Sequence, residues 1–292
     1  MPRLSKLVAG AFGALSVSLT AAPALAAGGA EHPKNVDFSF EGPLGRFDQA
    51  QLQRGFKVYR EVCAACHSTN LVSFRHLGNR NAPFWDPERP NPNENPYVRT
   101  IAAEYQINDI DSETGDTIQR PGTPADRMPS PYPNEAAARA GNGGALPPDL
   151  SVIAKARHGG SDYLYSLLTG YVTPPKGLTV PAGQYFNPYY AGDLSSYWAP
   201  AGKSPEEAHE SVPHGGFLAM PPPLRPGLVT FDDGTPSTVA QQARDVAAYL
   251  QWVTEPKLIE RKQTGLAVIL YLTLFAGLVY ASYRRIWRNV AH

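Results

Sequence analysis

Cys63 and Cys66 are the only cysteines of a 292-residue chain. They stand three residues apart in the stretch "EVCAACHSTN", with His67 directly after. Three chemistries suit two thiols and an imidazole so close together. A disulfide is possible in an oxidising compartment, but it would close a loop of only a few residues and stabilise little. A zinc site needs about four ligands, and no second Cys or His pair stands at metal spacing elsewhere. Covalent haem attachment, whose sequence signal is C-x-x-C-H, uses all three residues. Two thioethers would tether the vinyl groups, and the histidine would turn under the ring to give iron one axial bond. An export signal and the lack of any other cysteine favour this third reading.

The sixth ligand would decide the chemistry. A vacant position admits oxygen or peroxide, whereas a methionine closes the iron and raises its potential for electron transfer. Beyond the initiator the chain has two methionines, Met128 in "ADRMPSPYPN" and Met220 in "GGFLAMPPPLRPG". Met220 lies far downstream of His67, and the three prolines after it stiffen the strap that carries it. Met128 reads as flexible core filling. His32, His76, His158, His209, His214 and His292 sit in no obviously rigid strap and read as surface or structural residues.

Two helices must position these groups. In "DQAQLQRGFKVYREVCAA", residues 48–65, Leu52, Phe56, Tyr59 and Cys63 recur at helical spacing and lead into the motif. In "TPSTVAQQARDVAAYLQWVTEP" the buried stripe is Val239, Ala243, Val246, Ala247, Leu250 and Val253. Thr235 is the expected N-cap there, with Pro236 at the first helical position. A helix entering the motif and another closing the domain, the two crossing, is the layout of class I cytochromes c. The 29 prolines and 26 glycines approach a fifth of the chain, while hydrophobic residues make up 42%. The expected fold is therefore mainly α with long ordered loops, among them 81–100 and 175–215, around a packed core.

Both ends are specialised. Arg3 and Lys6, an apolar run and the pattern Ala24-Leu25-Ala26 form a secretory signal, with cleavage expected after Ala26. Gln263 to Tyr283 run 21 residues without a charge, and as a helix they would span roughly 30 Å, the thickness of a bilayer's hydrocarbon. Arg284, Arg285 and Arg288 beyond it favour a cytoplasmic C-terminus, although Lys257, Arg261 and Lys262 on the other flank weaken the charge argument. The export signal places residues 27–256 outside the cytoplasm, with 257–292 as anchor and short tail. Of the 26 basic and 26 acidic residues, two basic leave with the signal. The segment from Lys257 onward holds six basic and one acidic, so the body carries 18 against 25, a net of −7. That balance suits a basic soluble partner and disfavours nucleic acid, and it also serves solubility.

Several stretches together resemble the cytochrome c1 family, the membrane-anchored haem subunits of cytochrome bc1 complexes. They are "CAACHS", "SPYPNEAAARAGNGGALPPDLS", "ARHGGSDYLYSLLTGY", "AMPPPL" and "DVAAYLQWVTEP", in that order from about residue 40 to the C-terminus. The short export signal resembles the bacterial form. The resemblance implies one haem c on Cys63 and Cys66 with axial ligands His67 and Met220. It implies that Arg157 faces a haem propionate, that Asn142, Gly143, Ala145, Leu146 and Pro147 line the pocket, and that Tyr163 lies near it. It further implies an electron carrier that transforms no substrate itself. Electrons would pass from the Rieske iron–sulphur protein to a soluble cytochrome c, with the anchor beside cytochrome b in the bacterial inner membrane. A free-standing anchored cytochrome and a haem enzyme or sensor with an open sixth site are the rival readings. Two departures stand out. The extra cysteine pair of some bacterial members is absent, so packing and proline alone are expected to hold the methionine loop. A long acidic N-terminal extension is also missing, which leaves Asp109, Asp111, Glu113 and Asp116 as a candidate docking cluster, or a solvated loop.

Overall fold

The computed structural model describes residues 29–289, so the expected signal segment 1–26 and His292 lie outside the described residues. The fold is mainly helical with two small antiparallel sheets. Helix α1 (Gln49–Glu61) opens the site region. It starts where the Asp48 side chain accepts the Gln51 amide and frees that N–H from water. Leu52, Phe56 and Tyr59 are its buried stripe, as the spacing predicts. After Val62 the chain tightens into a 3₁₀ turn, Cys63–Ala65, so the helix ends one residue short of the first cysteine. Helices α2 (Pro96–Ala103), α3 (Glu135–Gly141), α4 (Ile153–Ala156), α5 (Gly160–Thr169) and α6 (Pro205–Glu210) follow, and α7 (Val239–Thr254) closes the domain.

Helix α7 begins three residues later than expected. Thr238, in extended conformation, accepts the Gln241 amide, and Pro236 lies before the helix rather than in its first turn. The side-chain amide of Gln242 donates to the carbonyls of Arg225 and Ser237 and pins 235–237 as a non-helical strap. Thr235 instead donates its N–H to the Asp233 carboxylate.

The crossing of α1 and α7 sets the core. At Gly55 a methyl group would lie 2.1 Å from the Asp245 carbonyl oxygen and 2.7 Å from the Tyr249 Cβ, so the two backbones meet there with no room for a side chain. Around that point Phe56, Tyr59 and Trp252 pack against Tyr249 at ring separations of 5.5–5.7 Å. Asp245, fully buried, accepts from the Arg54 guanidinium at 2.8 Å and from the side-chain amide of Gln241. Such a pair adds little net stability but specifies one register, because a slipped helix would strand the charge.

The two stretches expected to be loops are partly structured. Segment 81–100 runs into α2, whose cap is the fully buried Asn95. Segment 175–215 carries β3 (Tyr185–Asn187), a 3₁₀ turn (Ser195–Tyr197) and α6. Leu178, Phe186 and Leu194 give it a small core of its own. Their apolar side chains are too widely spaced along the chain to show a helix or strand period. Strand β4 (Gly216–Leu218) pairs with β3, and β1 (Gln106–Ile110) pairs with β2 (Thr117–Pro121) in an exposed hairpin.

Helix α8 (Leu258–Trp287) contains the uncharged stretch and extends beyond it at both ends. Its 30 residues make it about 45 Å long. It is the one helix among the described residues long and apolar enough to cross a membrane. Its first turn is fastened to the domain. Leu258 and Ile259 are buried, Glu255 holds both Lys155 at 2.8 Å and Arg261 at 2.9 Å, and the Lys262 ammonium donates to the carbonyls of Phe40 and Gly42.

Substituting Gly55→Ala is expected to destabilise the protein by about 1–3 kcal/mol or more. The intrinsic helix preference for alanine, worth about 1 kcal/mol in the other direction, would not offset the overlap. Thermal unfolding of the detergent-solubilised chain checks it, and an unchanged or raised midpoint would show that the helices can part there at no cost.

Candidate functional site

The turn after α1 presents both thiols and the imidazole within five residues. The amides of Cys66 and His67 both donate to the Cys63 carbonyl, at 3.1 and 2.9 Å, which folds the motif into a single compact loop. The two sulphurs are not joined. Burial pushes the Cys63 thiol up to about 12, with Cys66 adding to the rise. Among the described residues no group of three or more His, Cys, Asp or Glu is placed to hold a metal ion.

His67 is fixed by its second nitrogen. Its Nδ1 lies 2.8 Å from the Pro148 carbonyl oxygen. A carbonyl can only accept, so the proton sits on Nδ1 and the lone pair on Nε2. Burial lowers the pKa of His67 and keeps the ring neutral, against smaller opposing contributions from the Pro148 bond and Asp149. A neutral imidazole held through Nδ1 by a backbone carbonyl is the form that binds a metal through Nε2.

The segment that supplies Pro148 is zipped to the motif along its length. Asp149 accepts from the Ser68 hydroxyl and from the Asn70 amide, both at 2.8 Å. The Leu150 amide donates to the Ser68 carbonyl at 2.8 Å, and the Ser151 hydroxyl accepts from Leu71. Desolvation raises the Asp149 pKa, but these donors outweigh it and hold the carboxyl below its usual range. Behind the motif the Tyr59 hydroxyl lies 3.0 Å from Thr69 Oγ1 and 3.3 Å from the His67 carbonyl oxygen.

The remaining residues expected at the site arrange as follows. Asn142 caps α3, its amide donating to the Ala138 carbonyl and to the Tyr132 hydroxyl. Gly143 and Gly144 follow with φ of +60° and +92°, a left-handed pair that only glycine adopts readily, and no atom lies where a Cβ would project. They turn the chain back so that Ala145, Leu146 and Pro147, all half-buried, run into Pro148. Arg157 is exposed and makes no ion pair among the described residues. Its guanidinium donates to the Ala156 carbonyl at 3.1 Å, and its positive charge works against the burial that raises the Tyr163 pKa. Met220 is half-buried on the strap after β4.

That strap is held by more than packing and proline. Strand β4 is registered on β3, with Phe217 opposite Phe186, and the Tyr171 hydroxyl donates to the Met220 carbonyl at 3.1 Å. Tyr171 and Asp149 are functional supports that residue-type reasoning passes over, although both lie inside the family-like stretches "SLLTGY" and "PPDLS". Met128 lies in the main core, its sulphur accepting the Thr69 hydroxyl at 3.4 Å. His32, His158, His209 and His214 are exposed, and His76 caps a 3₁₀ turn (Phe74–Gly78). In the acidic cluster, Asp109 is taken up by Arg120 at 2.6 Å and Asp111 closes its own turn. Only Glu113 and Asp116 remain exposed and free of such bonds.

The cytochrome C1 family model matches residues 38–290. This chain belongs to the cytochrome c1 family. The cytochrome c1 of Blastochloris viridis is 40% identical over 95% of this chain and 94% of its own length. That of Rhodospirillum rubrum is 40% identical over 88% of each. A protein of Bradyrhizobium diazoefficiens named cytochrome b/c1 is 38% identical over 96% of this chain, which spans 40% of that longer protein. Cytochromes c1 carry covalent haem c and are the electron-transfer subunits of bc1 complexes. The donor set fits such a group, with two unpaired thiols, an imidazole whose free nitrogen is Nε2, and a thioether on a braced strap.

Removing the Asp149 carboxylate by Asp149→Ala is expected to destabilise the haem-bearing turn by about 1.5–3 kcal/mol, the range for hydrogen bonds to a charged group. Because its folded pKa is depressed, the contribution is present above the unfolded value of about 3.9 and is lost as pH falls through the folded value. Unfolding followed at pH 7 and again near pH 3 checks both parts. A difference between native and variant that stays the same at both pH values would refute the assignment.

Proposed function

We propose that this cytochrome c1 passes electrons from a Rieske iron–sulphur protein to a soluble cytochrome c, within a ubiquinol–cytochrome c oxidoreductase, and transforms no substrate on its own chain. The single observation that carries this reading is the His67 Nδ1 bond to Pro148 at 2.8 Å, immediately after two unpaired thiols. Bound haem c supplies a one-electron iron couple. Cys63 and Cys66 would tether it, and His67 Nε2 and the Met220 thioether would ligate its iron. A compact turn on one side and a strap held by β3 and Tyr171 on the other keep both ligands in place, which keeps reorganisation small. Arg157, without an acidic partner among the described residues, is available to pair with a propionate. Ala145, Leu146 and Pro147 would exclude water from the ring.

The export signal and the uncharged stretch of α8 support a haem domain on the periplasmic side of the bacterial inner membrane and a cytoplasmic tail. The likeness to a cytochrome b/c1 supports an anchor that lies beside cytochrome b. For the soluble acceptor, the net −7 of residues 27–256 suits a basic partner. The hairpin cluster contributes only Glu113 and Asp116 to that surface.

A redox titration of membranes holding the native protein is expected to show one high-potential haem, lowered in Met220→Leu by on the order of hundreds of millivolts. The reduced native protein is expected to refuse carbon monoxide, and the variant to take it. An unshifted potential would demote Met220 to packing and reopen the choice of sixth ligand. On mild solubilisation, cytochrome b and the iron–sulphur protein are expected to accompany the chain through purification. Recovery of the chain alone would favour a free-standing anchored cytochrome.

A further inference from the structure

A second concave site lies away from the haem residues, at the foot of α8. It is a cleft of about 360 Å³ between the 3₁₀ turn Phe74–Gly78, the loop after it and the first turn of the anchor. His76, Asn79, Arg80, Trp85, Lys257 and Glu260 line it. We propose that this cleft binds the phosphate of an anionic membrane lipid while the acyl chains lie along α8.

The lining is rich in hydrogen-bond donors that have no acceptor among the described residues. Arg80 and Lys257 are exposed, and neither makes an ion pair or a side-chain hydrogen bond among the described residues. The Trp85 indole N–H likewise has no acceptor among them. His76 accepts the Ser73 amide on Nδ1 at 3.1 Å, so its proton is on Nε2 and that nitrogen donates. Glu260 is the single carboxylate of the lining, leaving the cleft with a net positive charge. A phosphate offers acceptors only, and matches this set.

The level of the cleft selects the source of the phosphate. Lys257 and Glu260 precede the uncharged stretch at Gln263 by six and three residues, about 9 and 4.5 Å along the helix. The polar layer on each side of the hydrocarbon is roughly 5–7 Å thick. Glu260 therefore lies within the headgroup layer and Lys257 just beyond it, so the cleft opens at the outer edge of the headgroups, with a tryptophan and two cations, the residue types that favour this zone. Below it, Val268, Tyr271 and Phe275 recur on the side of α8 that carries Lys257 and Glu260, and all three are exposed, offering apolar surface to the chains of a lipid seated above them. A free phosphate ion would use the donors and leave that surface unused.

The test uses the full-length, haem-loaded chain in phosphatidylcholine nanodiscs doped with spin-labelled phosphatidylglycerol, on an Arg284→Gln, Arg285→Gln, Arg288→Gln background that removes the other leaflet's cationic cluster. The immobilised fraction of the label reports binding, and the haem absorbance reports an intact fold. Arg80→Gln with Lys257→Gln is expected to weaken binding roughly thirty-fold, about five-fold for each charge. Glu260→Gln is expected to tighten it, an effect in the opposite direction that loss of folding could not mimic. Equal binding by all three proteins would overturn the proposal and leave the cleft as a seat for a neighbouring protein segment. Displacement of the lipid by equimolar inorganic phosphate would overturn the lipid source in favour of a free ion. The proposal rests on α8 crossing the bilayer, so failure of the chain to enter the nanodiscs would defeat both readings. Binding lost in the variants after normal insertion would leave the spanning role intact and support the proposal.

Discussion

The close approach of α1 and α7 at Gly55 is the constraint on which the site depends. Side-chain packing alone would keep two helices 8–10 Å apart. Here the carbonyl of Asp245 occupies the space a methyl group would take. Because the helices touch backbone to backbone, Tyr249 stands against both Phe56 and Tyr59, and Tyr59 in turn reaches past the helix end to the His67 carbonyl. The position of the imidazole is thus inherited from a contact twelve residues earlier in the chain. A glycine in a helix interior is ordinarily a weakness, and its presence here is explained by what it lets meet.

The other half of the constraint comes from segment 148–151. The turn at 63–67 is closed by its own amides, but nothing within it sets the rotation of the imidazole ring. Pro148 does that with one carbonyl, and Asp149 holds Pro148 in place by gripping Ser68 and Asn70. The left-handed pair Gly143–Gly144 is what allows the chain to arrive at this position from α3. A short sequence motif therefore functions only because a segment eighty residues away supplies its acceptor.

The parts of this arrangement visible in sequence are those with a local period or a local chemical signature. The stripe of α1, the body of α7, the uncharged run of α8 and the C-x-x-C-H pattern all belong to this class. The cap of α7 misled because Thr235-Pro236 satisfies the usual pattern, while the bonds that select Thr238 come from the non-local Gln242–Arg225 contact as well as the chain nearby. The strap of Met220 looked dependent on proline because its partners, β3 and Tyr171, lie 30–50 residues back in stretches without period. Likewise Asp109 reads as a free surface charge until the hairpin brings Arg120 opposite it. Side chains that act by capping, bracing or pairing across the fold carry no period, and their roles become visible only once the chain is folded.

The anchor is joined to this framework as a post and not as a tether. Lys155, which holds Glu255 at the end of α7, lies on α4, and α4 stands between the segment that orients His67 and Arg157. Ala154 also donates its amide to Thr254. On the far side Lys262 is tied to the carbonyls of Phe40 and Gly42, in the N-terminal segment that also meets α5 through Val36 and Asp162. Pro256 ends α7 but leaves no slack, since Leu258 and Ile259 are already buried in the next turn. A flexible linker would let the domain wander over many ångströms. Here α4, which follows the segment that orients the imidazole, is itself bonded to the end of α7 and so to the start of α8. The haem-motif domain and the first turn of α8 are thereby fastened together through bonds on two sides, with no slack between them.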